Sequence, residues 1–241
     1  MSYPFAVRGA PGDEYIQGTD QLHPLGTLMV TQDQRRFRYV KAGELLLVGE
    51  TLQGPDEEVE VDLTVAAGTI ADQFISLTGK GTEAANTYAE GYIYLSIPGS
   101  SSCRMYQVAS HLVLAISAGH KIFITDSRGT QEAIVGDEEA TLQKNPWKDI
   151  KSNTGAADAG FAGIAVEDIA SGSYGWVQTG GPAIARCDTA VAEGVSVTAV
   201  SATASELALT GASTESVVGY VIRGATGTDS IEVSFVMLTV D

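Results

Sequence analysis

Most protein chemistry is carried by histidine, cysteine, serine, lysine and carboxylate side chains in a few working arrangements. The chain has three histidines: His23, which precedes Pro24, and His111 and His120, which flank the apolar run Leu112-Val-Leu-Ala-Ile116. With Cys103 they offer nitrogen and sulfur donors, but the spacing matches no zinc-ligand pattern. Gly79-Lys-Gly-Thr82 lacks the upstream glycine and the following helix of a phosphate-binding loop, and reads as a hairpin loop. Ser171-Gly-Ser-Tyr-Gly175 does not supply a strand-to-helix nucleophile elbow. Cys187-Asp-Thr-Ala190 has the Asp-Thr of an aspartic protease without its glycine or a second copy. Carboxylates are so abundant that a pair at hydrolase spacing would arise by chance. The expectation is a protein without catalytic, metal-binding or cofactor-binding residues.

Two charged runs carry more information. Arg35, Arg36, Arg38 and Lys41 place four of fourteen basic residues in one short stretch. Asp56, Glu57, Glu58, Glu60 and Asp62 form an opposing acidic run. On a strand, Arg36 and Arg38 share one face while Phe37 and Tyr39 take the other. The runs either form two solvated faces, pair within the chain, or present a basic strip that orients a partner. The whole chain is acidic, with a net charge of −16 over 241 residues, which disfavours nucleic acid and anionic membranes as partners. No apolar stretch approaches the roughly 18 residues of a membrane-spanning helix, and the beginning of the sequence does not read as an export signal. The two cysteines, Cys103 and Cys187, read as reduced thiols.

The elements that must position these residues are strands. Arg36–Lys41, Glu58–Val65, Tyr92–Ile97, Lys121–Thr125 and Ser230–Val236 alternate polar and apolar residues, so one row of side chains faces a core. The 27 glycines and 7 prolines fall largely between such runs. Only Asp137–Lys144 suggests a turn or two of helix. The expected fold class is all-β: one or more β-barrel or β-tulip-like domains, an extended N-terminal arm and little helix.

Residues 1–26 form that arm, with apolar and aromatic residues but no period. An arm of this kind packs on its own domain or crosses onto a neighbouring subunit. Residues 27–151 read as a β domain, in which 60–150 is a possible insertion. Residues 152–241 read as a C-terminal β domain that could complete a barrel with 27–55. This last part contains only two basic residues, Arg186 and Arg223, against ten acidic ones.

Several stretches together resemble virion structural proteins of tailed bacteriophages, and in particular capsid decoration (cement) proteins. They are Ile164–Pro182 with its Tyr174-Gly-Trp-Val-Gln-Thr179 phrase, Gly26-Thr27 with Phe37–Gly43, Tyr106–His111 leading to Lys144–Trp147, and Val218–Val236. The likeness touches most of the chain diffusely. It implies a structural role without enzymatic activity, on the exterior of a capsid assembled in the host cytoplasm. It also implies homotrimers that clamp neighbouring copies of the major capsid protein. The contact residues expected on this reading are Tyr3, Phe5, Tyr15 and Ile16 of the arm, with Arg35, Arg36 and Arg38. The alternative is a head-fibre or tail-tip protein that binds a host-surface receptor or glycan. If the arm crosses a seam between subunits, removing residues 1–24 is expected to leave a folded domain that no longer stabilises shells.

Overall fold

The alternating stretches form strands in the computed structural model, which describes residues 6–55, 59–78, 82–96, 103–115, 119–136, 138–155, 160–187, 191–201, 203–211, 215–224 and 232–240, without the side chains of 59–62 and 232. The chain divides into two compact units: Met1–Asp56 with Pro146–Asp241, and Glu57–Asn145 between them. Before the second unit come β1 (Ala6–Arg8), a single 3-10 turn (Asp13–Tyr15), β2 (Leu28–Val30), β3 (Arg36–Lys41) and β4 (Thr51–Gln53). The second unit holds β5 (Val59–Val65), β6 (Phe74–Thr78), β7 (Tyr92–Ser96), β8 (Cys103–His111), β9 (Gly119–Ile124) and β10 (Glu139–Gln143). The first unit resumes with β11 (Lys151–Ser152), β12 (Phe161–Ala165), β13 (Tyr174–Cys187), β14 (Ser196–Thr198), β15 (Ala208–Leu209), β16 (Val217–Arg223) and β17 (Glu232–Thr239).

The second unit is a closed antiparallel barrel in the order β10-β5-β6-β9-β8-β7. Period-two alternation sends Leu63, Val65, Ile75, Leu77, Ile93, Leu95, Val108, Ile122 and Leu142 into one core, and closure leaves no free strand edge. The expected helical turn near 137–144 is instead β10. Its Ala140 and Leu142 are buried two positions apart, and it pairs with both β5 and β7. His111 is buried in this unit, where its Nε2 accepts the Tyr88 amide at 3.0 Å and its Nδ1 lies 2.7 Å from the Leu112 carbonyl. The turn after β9 takes a left-handed backbone at Gly129 (φ +76°), where its amide donates to the Asp126 carbonyl at 2.9 Å. A Cβ there would stand 2.3 Å from the Ala71 carbonyl oxygen.

The first unit is a mixed sheet whose main path runs β1-β2-β3-β13-β17-β16-β14-β15, with β4, β11 and β12 joined off that path. Residues 27–55 and 160–241 therefore share one sheet, but the closed barrel belongs to the intervening unit. The expected boundary near 152 is not a division either. β11 and β12 both pair with β4, so the small-residue stretch around 152–160 runs within one unit.

Residues 6–26 lie against their own unit. β1 pairs in parallel with β2, Gly18 bridges Tyr174, and the His23 ring sits 5.2 Å from Tyr39 and 5.3 Å from Trp176. These residues cover Met29, Phe37, Tyr39 and Trp176, which form a small aromatic core. Tyr3 and Phe5 lie outside the described residues, as does most of the Gly79–Thr82 loop. Both cysteines are free thiols, Cys103 exposed and Cys187 buried.

Two outcomes follow from this packing. Deleting residues 1–24 strips the cover from Tyr39 and Trp176, so the truncated chain is expected to melt at least about 10 °C lower than the full chain or not to fold. Circular dichroism melts of the two proteins check this, and equal melting would mean the segment is dispensable for folding. Gly129→Ala is expected to cost the second unit about 2–4 kcal/mol through its left-handed backbone and the contact with Ala71, read from urea unfolding.

Candidate docking groove

The 3-10 turn at Asp13–Tyr15 begins where Gly12 takes φ 100°, and the Ala10 amide donates to the Asp13 carboxylate at 2.7 Å. That turn buries Glu14 and leaves Tyr15 half exposed. The Arg35 guanidinium donates through Nη2 to Glu14 Oε1 at 2.7 Å and through Nε to Asp33 Oδ2 at 2.7 Å. Thr31 donates its hydroxyl to the same Asp33 at 2.5 Å. The hydrogen bond from Thr31, then that from Arg35, lowers the Asp33 carboxyl to about 2. Burial alone would raise Glu14, but its own amide, the Arg35 guanidinium and the Gly12 amide outweigh this and hold it below 4.5. Arg35 is thus a fixed cation, not a mobile one.

Opposite that turn stands the second half of β13. The strand bends where Gly181 takes φ +82°, and the Gln178 side-chain amide holds the bend by donating to the Pro182 carbonyl at 2.7 Å and the Gly180 carbonyl at 3.1 Å. Beyond the bend Ile184 lies directly opposite Phe235 of β17, and Arg186 opposite Val233. Arg186 Nη1 donates to Glu50 Oε1 at 3.1 Å, and the other Glu50 oxygen accepts from the Leu47 amide and the Ser152 hydroxyl, both at 2.9 Å. Between these walls runs a groove of about 420 Å³ with Ala165, Val166 and Ala183 among its lining residues. Tyr15, Val48, Ile184, Val233 and Phe235 along it are 50%, 53%, 55%, 49% and 38% exposed, an apolar strip whose last three members stand on the hydrogen-bonded β13–β17 pair and whose first two stand on turns facing it. Its two basic residues, Arg35 and Arg186, are each anchored to a buried carboxylate.

The residues expected to make contacts are dispersed. Tyr15 and Arg35 line the groove. Ile16 instead lines a separate pocket of about 270 Å³ under the N-terminal segment, together with His23, Tyr39, Tyr174 and Trp176. The Tyr39 hydroxyl accepts the Leu22 amide there at 3.0 Å, and burial raises its ionisation above the ordinary value. Arg36 packs against Gly180. Arg38 donates to the Gly26 carbonyl at 2.9 Å and lies 5.7 Å from the centre of the Trp147 ring. The basic run is therefore not one partner-facing strip. Phe37 and Tyr39 are buried and alternate with the two arginines, as the spacing predicts.

Val48, Ile184, Val233, Phe235 and Arg186 were not expected at a site. A signal for two of them is present in the sequence: around Ile184 the inward residues are Ala183 and Ala185, so the larger side chain points out. β17 likewise has apolar residues at both parities, the pattern of a strand covered on both faces. Among the described residues, no three His, Cys, Asp or Glu side chains stand together in a way that would hold a metal ion. No family model, curated protein or solved structure matches the chain.

Glu14 and Asp33 are depressed in the folded chain, so their ionised forms favour the fold. Their contribution is whole above about pH 5 and is lost as pH falls through 4.5 and 3.8 towards about 2. Glu14→Gln is expected to cost about 1–2 kcal/mol at pH 7 and to flatten the acid limb of stability against pH. Thermal melts between pH 2.5 and 7 read both effects, and an unchanged acid limb would show that the pair does not set it.

Proposed function

We propose that this chain is a virion structural protein that decorates the outside of an icosahedral phage capsid and bridges neighbouring major capsid proteins, acting as a homotrimer without enzymatic activity. The observation that carries the reading is the apolar groove on a rigid sheet, with Tyr15, Val48, Ile184, Val233 and Phe235 half exposed. Apolar strips of this kind on a well-packed scaffold are protein-binding surfaces. The resemblance in Ile164–Pro182 and Val218–Val236 supports the same reading, because those segments contain the first part of β13, nearly all of β16 and part of β17, strands of the sheet that carries the groove. The mechanism is distributed binding, in which many modest contacts on a symmetric shell engage together and favour the expanded state.

A receptor-binding fibre would present aromatic platforms to sugars. Here Trp176 and Tyr39 are buried beneath residues of the N-terminal segment, and the exposed Tyr15, Phe235 and Tyr220 stand among aliphatic side chains rather than as a bare aromatic platform, which favours the decoration reading over the fibre one. The test is the copy number per purified virion, measured by quantitative peptide mass spectrometry against the major capsid protein. A ratio of order one is expected. A handful of copies would replace the reading with a fibre or tail component, and absence from particles would overturn both.

A further inference from the structure

The outward face of β13, β17 and β16, which forms one wall of the groove through Pro182, Ile184, Arg186, Val233 and Phe235 and continues beyond it, has an ordered composition. Strand register places Pro182, Met237 and Tyr220 in one row, Ile184, Phe235 and Arg223 in the next, and Arg186 with Val233 in the third. Neighbouring strands stand about 4.8 Å apart, so the rows form a continuous surface, apolar in the middle with an arginine on each outer strand. Those arginines are the two basic residues of 152–241, a segment with ten acidic ones. No Asp or Glu occupies any of these outward positions. Arg186 is anchored to Glu50, whereas Arg223 is exposed and makes no ion pair among the described residues.

We propose that this face docks an extended, apolar segment of the shell protein that carries carboxylates, with its apolar side chains over Ile184, Phe235 and Tyr220 and a carboxylate on Arg223. This rests on the decoration reading and names the surface and the partner chemistry for it. Charge complementarity selects the occupant. A second copy docked through the same face about a two-fold axis would set arginine-bearing rows together with no carboxylate between them among the described outward positions. A nucleic acid backbone would gain two cations and leave the aliphatic rows against phosphates. An acid-bearing apolar strand satisfies both parts of the surface.

The test uses the full chain and capsids purified from particles that lack it, with binding measured by co-sedimentation at several salt concentrations. The wild type is expected to saturate the shells. The double variant Ile184→Asp, Phe235→Asp is expected to lose at least about 30-fold in affinity. Arg223→Glu is expected to lose about 10-fold and to show a shallower salt dependence, with Arg223→Lys largely restoring both. All these positions are exposed, and unchanged melting of each variant confirms the fold. Leu112→Asp, exposed in the other unit, is the control expected to bind as wild type. A photo-crosslinker at position 220 is expected to capture a shell peptide containing Asp or Glu.

If the wild type does not bind shells, the decoration reading fails. If the wild type binds and the double variant binds equally, the docking face is wrong while that reading stands. Capture of this chain's own peptide at position 220 would make the occupant a second copy and overturn the proposal.

Discussion

β13 is the constraint on which the first unit depends. It runs fourteen residues, pairs with β3 and β12 on its first half and with β17 on its second half, and must bend between them. The bend falls just after the ladder to β3 slips by one residue between Gln178 and Gly180, and at Gly181 the backbone turns to positive φ. At Gly181 a Cβ would lie 3.2 Å from the Arg35 Cα, so both the angle and the close approach of the β2–β3 turn require glycine. Gln178 locks the bend from within. Before the bend the strand gives Trp176 to the aromatic core. After it, the strand gives Ile184 and Arg186 to the groove. A straight strand would supply only one of these.

The same economy governs charge. In a chain with net charge −16, arginines are used as struts: Arg35 to Glu14 and Asp33, Arg186 to Glu50, and in the barrel Arg104 to Glu138. Each joins segments distant in sequence, and in each at least one carboxylate is buried. Such pairs add little net stability over apolar packing, but removing one partner leaves a buried charge, so they specify where the turns sit. Arg223 differs because it is exposed and forms no ion pair among the described residues.

The fold class was legible in the sequence because alternation is a local property. Tyr92–Ile97 contains strand β7, Lys121–Thr125 overlaps most of β9, and Phe37 and Tyr39 point inward as their parity requires. Asp137–Lys144 misled because a strand with a small inward residue, Ala140, and a leucine has no strong period, and only its two barrel neighbours decide its state. The groove was half legible. Tyr15 and Arg35 stood out by type, whereas Ile184, Phe235 and Arg186 meet only through β13–β17 pairing across some fifty residues, which no local pattern encodes. The basic run failed as a unit for a related reason. Arg38 and Arg36 find a carbonyl and a glycine surface on other elements of their own unit, and nothing in their spacing announces those contacts.

The groove's composition also bears on how strongly one copy can bind. Five apolar side chains along it keep roughly half their surface, and full burial of such a side chain is worth about 1.5–3 kcal/mol. Covering what remains exposed therefore contributes about 1 kcal/mol each, or about 5 kcal/mol in all, against an association cost of at least about 4 kcal/mol. A single groove filled once binds weakly. Its anchored arginines and hydrogen-bonded strands lower the ordering cost but add no area. Firm attachment then needs either further surface, which Met237 of β17 and Tyr220 of β16 begin to supply, or many copies engaged on one repeating partner. On the proposed decoration reading a symmetric shell would provide the second, and weak individual contacts would then add up to a stable layer.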